Sequence, residues 1–133
     1  MDAGAAERES GAVGRAVAAG GAAGALARYA ISSWATTWAA APFPWGTFAV
    51  NALGSLALGV LTGALLRRGA SPALRGFLLT GLCGGFTTFS TFDFEVLAML
   101  QRGTYGMAAA YALGSVAVCV AGVWAGFGAA RRG

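Results

Sequence analysis

The sequence predicts an all-α membrane protein with four transmembrane helices, the third of which is broken near its middle. Of the 133 residues, 57% are hydrophobic and only 11% are charged, whereas soluble domains are about 25% charged. Four stretches also reach the roughly 20 mostly apolar residues that are needed to cross a bilayer. These predicted spans are residues 13–34, 47–66, 76–100 and 105–127.

The spans leave no room for a soluble domain. We expect a short tail over residues 1–12, one four-helix transmembrane unit over residues 13–127, and a second short tail over residues 128–133. The residues before the first span mix acidic and basic side chains instead of forming the basic start of a signal peptide. The first span is therefore expected to be a membrane helix.

The composition excludes several classes of site. The chain has no histidine and two cysteines, which rules out a histidine triad, a histidine metal cage and a multi-cysteine zinc site. Cys83 and Cys119 each lie in an apolar stretch, and we expect both to be small buried side chains. We find no nucleophile with a base and no phosphate loop, so no enzymatic activity is expected. A basic groove with interleaved aromatic residues is also lacking, so no nucleic-acid partner is expected.

Glycine pairs predict close helix packing, and the connection after the first span predicts a membrane interface. Glycines four residues apart let helix backbones approach closely, and three spans carry such pairs. The glycine pairs are Gly20/Gly24, Gly59/Gly63 and Gly122/Gly126. The uncharged connection over residues 35–46 contains two prolines that bar a continuous helix. Aromatic residues in and beside it predict a belt at the lipid headgroups. They are Trp34, Trp38, Phe43 and Trp45.

The second and fourth spans contain polar residues that need partners in hydrocarbon. The side-chain amide of Asn51 has two N–H donors and one carbonyl acceptor. One interpretation is a hydrogen bond between helices, worth about 1 kcal/mol, and the other is a donor that faces a ligand. In the fourth span, Tyr111 and Ser115 are four residues apart and share a helix face. They could extend a line of hydroxyl groups.

The third span contains an unusual stretch at residues 81–92, GLCGGFTTFSTF. The adjacent Gly84 and Gly85 each cost about 1 kcal/mol relative to alanine, and the threonines weaken the helix further. We therefore predict a break near the middle of the membrane, where exposed backbone groups line a cavity or hold an ion. A bent helix whose hydroxyls bond back to the preceding turn is the alternative.

Aromatic and acidic residues follow the glycine pair. Phe86, Phe89 and Phe92 recur every three residues, which would place them in one stripe of the segment. Such a stripe usually packs against neighbours or lipid, but the positive edges of the rings can also contact an anion. Asp93 and Glu95 are the only acidic residues within the spans. They either mark a cavity or vestibule or reach water at the end of the segment.

The arginines predict the orientation. With four spans, both tails and the 67–75 connection lie on the same side, which then carries seven of the nine arginines. Arg28 and Arg102 lie on the other side. By the positive-inside rule, both termini are predicted to be cytoplasmic. Contact with anionic lipid is a second role that these arginines can have.

Three stretches, in this order, resemble the CrcB/Fluc family of small fluoride channels. They are GGAAGALARY (20–29), GTFAVNALGS (46–55) and GLCGGFTTFSTF (81–92), and the pair Tyr111 and Ser115 supports them. The resemblance implies an antiparallel dimer of four-helix subunits in the plasma membrane, with two pores. Each pore would pass fluoride down its electrochemical gradient and so protect the cytoplasm.

The resemblance also implies roles for individual residues. Asn51 would be a pore-lining donor, and the ring edges of Phe89 and Phe92 would meet the ion. Arg28 would draw anions toward an entrance. The polar track and vestibule would include Ser90, Thr91, Tyr111, Ser115 and Glu95.

A structural sodium ion is implied as well, held by the backbone carbonyls of Gly84 and Thr87 from both subunits.

Two features depart from the family pattern. Phe86 stands where leucine is more common, which predicts a change in packing only. The arginine imbalance does not suit a chain that inserts in both orientations. We therefore hypothesise that the dimer pairs this chain with an oppositely oriented paralogue, and a homodimer is the alternative.

A proton-coupled small multidrug transporter is the main functional alternative, since it is also a four-helix dimer of similar length. That chemistry needs a membrane-embedded carboxylate in the first helix, where this chain has only Arg15 and Arg28. A membrane scaffold without transport activity would explain the small-residue packing but not the TTFSTF cluster. Passive fluoride export is therefore the favoured prediction.

Overall fold

The computed structural model describes residues 3–38 and 42–132. Every regular element in this part of the chain is helical, and the elements form the four predicted segments. In chain order they are α1 (Ala3–Trp38), α2 (Trp45–Arg67), α3 (Pro72–Arg75), a π-helix (Gly76–Cys83), α4 (Gly84–Phe86), α5 (Phe89–Gln101) and α6 (Tyr105–Arg132).

The helices differ in how clearly they qualify as membrane spans. By length and composition, α2 and α6 are each long and apolar enough to cross a bilayer. The third segment is interrupted after Phe86, so no single helix within it has the length of a span. With 36 residues, α1 is about 54 Å long at 1.5 Å per residue, well beyond the roughly 30 Å of hydrocarbon. It therefore extends past the predicted span at both ends.

The first helix packs in parallel against the first half of the third segment, with backbone nearly touching backbone. A Cβ atom on Gly20 would overlap the carbonyl oxygen of Phe77, and one on Gly24 would overlap that of Leu82. Gly85 approaches Gly21 in the same interface, where a Cβ would lie 3.0 Å from the Gly21 Cα. The predicted close approach along α1 is confirmed.

The second and last helices form the other parallel pair. A Cβ on Gly59 would overlap the carbonyl oxygen of Val123, and one on Gly126 would lie 2.5 Å from the carbonyl oxygen of Leu56. Further along, Gly63 faces Ala130. Thus α1 runs in the same direction as the third segment, and α2 runs in the same direction as α6. The four segments alternate in direction along the chain, as the four predicted spans require.

The break in the third segment is confirmed, and it lies at the threonines that follow the glycine pair. Gly84 and Gly85 lie within a helical turn, and the extended residues are Thr87 (φ −78°, ψ 159°) and Thr88 (φ −147°, ψ 120°). Gly85 is needed for contact with α1 rather than for flexibility. The hydroxyl of Thr88 accepts a hydrogen bond from the Thr91 N–H at 3.2 Å, so Thr88 caps the start of α5.

The break also separates the three phenylalanines. Phe86 ends α4, whereas Phe89 and Phe92 belong to α5, so the predicted single stripe is wrong because it assumed a continuous helix. Phe86 instead packs against α2, where a Cβ on Gly54 would lie 3.0 Å from its ring. In the predicted belt, Trp34 and Trp45 are exposed, Phe43 packs inward on Tyr111, and the side chain of Trp38 lies outside the described residues.

Gly20→Ala is expected to destabilise the fold by about 1–3 kcal/mol, because the added methyl group overpacks a backbone contact. Gly21→Ala is the matched control, since a Cβ there would meet nothing within 4 Å. Thermal unfolding of the two variants in detergent measures the difference. Equal unfolding temperatures would contradict the close packing at Gly20.

Candidate ion pathway

The amide of Asn51 joins α2 to the break in the third segment. Its Nδ2 donates a hydrogen bond to the carbonyl oxygen of Thr88 at 2.9 Å, and its Oδ1 accepts one from the Thr88 N–H at 2.7 Å. A single side chain thus pairs with both backbone groups of one extended residue. The interpretation of Asn51 as a hydrogen bond between segments is confirmed.

The break leaves two backbone carbonyls without their usual helical donors. In a continuous helix, the Gly84 carbonyl would accept from the Thr88 N–H and the Thr87 carbonyl from the Thr91 N–H. Here the Thr88 N–H donates to Asn51 and the Thr91 N–H donates to the Thr88 hydroxyl. Carbonyl oxygens of this kind suit a hard cation. The donor set therefore fits the implied sodium ion.

A chamber of about 160 Å³ lies between α2, α5 and α6, and we call it the small chamber. Ser115 is only 4% exposed, and its buried hydroxyl has no hydrogen-bond partner within the described part of the chain. Such buried polar atoms normally have a partner, so the chamber has hydrogen-bonding capacity for a ligand. The lining residues are Asn51, Ser55, Thr88, Phe89, Phe92, Ser115, Val116 and Cys119.

Two phenylalanine rings form one wall of the small chamber. The ring centroids of Phe89 and Phe92 are 5.6 Å apart. Phe92 is 8% exposed and packs on the ring of Tyr111, with centroids 5.1 Å apart. Phe89, by contrast, is 72% exposed. The chain on its own therefore leaves the chamber open on the side of Phe89.

Glu95 is held by two hydroxyl groups. The Thr47 hydroxyl donates to its Oε1 and the Tyr111 hydroxyl donates to its Oε2, each at 2.7 Å. Both donors are buried, and hydrogen bonds from hydroxyls to a carboxylate are strong and short. The carboxylate of Glu95 therefore lies inside the protein at a cavity, whereas Asp93 is exposed on α5.

A second chamber of about 520 Å³, which we call the large chamber, adjoins the first. It contains both arginines of the predicted arginine-poor side, Arg28 and Arg102, together with Glu95. The Nε of Arg28 donates a hydrogen bond to the Gly85 carbonyl at 3.1 Å, which anchors the guanidinium beside the break. Thr88 lines both chambers. Thr88, at the break, therefore borders both cavities.

The structure brings most of the sequence-predicted residues to these chambers. Asn51, Phe89, Phe92 and Ser115 line the small one, and Tyr111 connects the two through its contacts with Phe92 and Glu95. The large chamber includes Arg28, Thr91 and Glu95. Ser90 is exposed and is not among the lining residues of either chamber.

Thr47, Thr88 and Arg102 line the large chamber but are not among the site residues that the sequence predicts. Thr47 lies four residues before Asn51, so it shares a helix face with the one residue that the sequence singles out there. That spacing is a signal that could have found it. Thr88 gives no such signal, because its role depends on the position of the break.

Known proteins are similar to this chain over most of its length. A family model described as CrcB-like protein, Camphor Resistance (CrcB), matches residues 15–127. A fluoride-specific ion channel FluC from Phenylobacterium zucineum is 49% identical, with 87% of this chain and 93% of the relative covered. A FluC from Novosphingobium aromaticivorans is 50% identical over 86% of this chain and 93% of the relative. One from Geobacter sulfurreducens is 44% identical over 88% and 95%.

The four helical segments, the broken third segment and the two adjoining chambers are those of a small membrane channel. The chain belongs to the CrcB/FluC family of fluoride-specific ion channels. Membership in a channel family sets aside the multidrug transporter and the scaffold as alternatives.

Asn51→Asp is expected to destabilise the fold by about 1–3 kcal/mol, because a carboxylate cannot donate to the Thr88 carbonyl and leaves it unpaired. Ser90→Ala is the control, since its hydroxyl is exposed and makes only a 3.4 Å contact with the Thr88 hydroxyl. Chemical unfolding in detergent measures both variants. A fully stable Asn51→Asp protein would show that the amide pairing does not hold the break.

Proposed function

We propose that this chain is one subunit of a passive fluoride channel of the plasma membrane, through which fluoride leaves the cytoplasm down its electrochemical gradient. The relatives described above carry the name fluoride-specific ion channel. The observation that carries the proposal is the small chamber, in which the amide of Asn51 and the hydroxyl of Ser115 accompany the rings of Phe89 and Phe92. Among the described residues, that hydroxyl has no hydrogen-bond partner.

The chemistry of the small chamber suits fluoride. Fluoride is small and strongly hydrated, so a site must replace its water with compact donors at short range. Ser115 supplies an O–H, Asn51 has a second N–H beyond the one bonded to Thr88, and the phenylalanine rings have positive edges. All eight lining residues are uncharged. A wide ring of cations would instead favour chloride, which is more easily dehydrated.

The large chamber is suited to be the vestibule of the route. Arg28 and Arg102 line it and raise the local concentration of anions. Both carboxylate oxygens of Glu95 accept hydroxyl hydrogen bonds, which reduces its capacity to attract cations. We infer that fluoride enters past the arginines, crosses near Thr88 and Tyr111, and is stripped of water in the small chamber.

A second, antiparallel subunit would complete the site. In support, Phe89 lines the small chamber while remaining 72% exposed, and Gly84 is exposed on the third segment. The carbonyls of Gly84 and Thr87 from both subunits would hold a structural sodium ion. That ion would supply positive charge beside carbonyl groups whose usual helical donors bond elsewhere.

Both termini are proposed to be cytoplasmic, and the partner subunit is proposed to be an oppositely oriented paralogue. Basic residues lie in the last turns of α2, α3 and α6, and the chain path brings these helix ends to the side of the N-terminus. A chain with seven arginines on one side and two on the other inserts mainly in one orientation. A paralogue with the reverse bias would supply the antiparallel subunit.

Replacing Phe89 by isoleucine is expected to lower fluoride efflux roughly fivefold, since the lost ring contact is worth on the order of 1 kcal/mol. Fluoride efflux from proteoliposomes containing the assembled channel measures this, with chloride as the control ion. Trp124→Ile is the matched variant, because Trp124 is 79% exposed and lies outside both chambers. Undiminished fluoride flux in Phe89→Ile would remove the ring from the route.

The pairing proposal predicts that the purified single chain passes fluoride far more slowly than the chain co-expressed with its paralogue. The expected reason is that the single chain inserts mainly in one orientation and rarely forms an antiparallel homodimer. A variant with a more even arginine distribution should therefore recover fluoride flux as a homodimer. Gln substitutions that leave three arginines against two provide this variant; they replace Arg67, Arg68, Arg131 and Arg132. Efflux by the wild-type single chain equal to that of the pair would refute the proposal.

A further inference from the structure

Cys119 does not have the environment that the sequence predicts for it. Cys83 is 5% exposed, as expected for a small buried residue. Cys119 is only partly buried, it is a free thiol, and it lines the small chamber. It lies four residues after Ser115 and eight after Tyr111 on α6, so the three side chains share one helix face.

We propose that Cys119 is a modification site in the wall of the small chamber, where a small neutral thiol-reactive compound blocks fluoride conduction. This inference rests on the proposed function, because it takes the small chamber to be part of the fluoride route. An independent observation supports a ligand beside the thiol: the Ser115 hydroxyl, 4% exposed and without a partner in the described residues, lies in the same chamber.

The thiol is also the chemical exception in the chamber. Asn51, Ser55, Thr88 and Ser115 line it with nitrogen and oxygen groups that donate strong hydrogen bonds, whereas an S–H is a weak donor. Cys119 is thus a poor partner for fluoride but a good nucleophile for a sulfur electrophile once its proton is lost. No other cysteine lines either chamber among the described residues.

Methyl methanethiosulfonate is a suitable probe of this site because it is small and uncharged. The Cys119 thiolate attacks the methylthio sulfur of the reagent, and a new disulfide forms between the cysteine and the methylthio group. The S–S bond of the reagent breaks, and methanesulfinate leaves with the electron pair. The thiol proton passes to solvent, so no further oxidant is needed.

The size of the chamber explains why so small an adduct should block it. Its volume is about 160 Å³, so an adduct on Cys119 occupies part of a small space. The adduct adds two heavy atoms and replaces the S–H by an apolar group beside Ser115 and Asn51. A fluoride ion would then lose space and gain a neighbour that cannot donate a hydrogen bond.

The test measures fluoride efflux from proteoliposomes of the assembled channel before and after treatment with methyl methanethiosulfonate, and again after reduction with dithiothreitol. Intact mass and peptide mapping show which cysteine carries the adduct. The variants are Cys119→Ser, Cys83→Ser as the matched control, and Cys119→Met, whose side chain has as many heavy atoms as the methylthio adduct.

We expect efflux by the wild type to fall about tenfold, which corresponds to roughly 1.4 kcal/mol of added barrier, and to recover on reduction. Cys83→Ser should respond like the wild type, Cys119→Ser should not respond, and Cys119→Met should be slow without reagent. An unmodified Cys119, or a modified Cys119 with unchanged efflux, overturns the inference alone. An untreated wild-type channel that passes no fluoride overturns the proposed function and this inference with it.

Discussion

The pairing between the Asn51 amide and the backbone of Thr88 is the interaction on which the other features of the site depend. It satisfies the N–H and the carbonyl of a residue that no longer belongs to a helix, which hydrocarbon would otherwise penalise heavily. Because the Thr88 N–H donates to Asn51, it does not donate to the Gly84 carbonyl. The same pairing holds Thr88 in place, where it lines both chambers. The break is thus a stable part of the fold, because the backbone groups of Thr88 keep hydrogen-bond partners.

Glycine contacts make the break tolerable for the fold. The first half of the third segment is held against α1 through Gly20, Gly24 and Gly85, where one backbone lies on another. Association of helices in lipid gains little from apolar burial, so close packing of small residues has to supply the stability. Because each half of the segment is anchored by its own neighbours, the two halves need no helical hydrogen bonds between them.

In the proposed route, the large chamber attracts the anion and the small chamber removes its water. Arg28 and Arg102 lie in the large chamber, where space remains for water, and their charges act over a distance. The residues that line the small chamber are uncharged, and they include hydrogen-bond donors and two phenylalanine rings. Separation of the arginines from the uncharged donors is useful for selectivity. A cation in the small chamber would bind any anion, whereas compact neutral donors favour the anion that needs the shortest contacts.

The sequence by itself determined the four segments, the glycine interfaces, the presence of a break and several of the polar residues at the chambers, because apolar length and residue spacing act locally. Only the tertiary structure decided the position of the break, the separation of Phe86 from Phe89, and the partial exposure of Cys119. Those features depend on which side chain reaches which backbone group across helices. Asn51 lies 37 residues from Thr88, and no local propensity states that the two will meet.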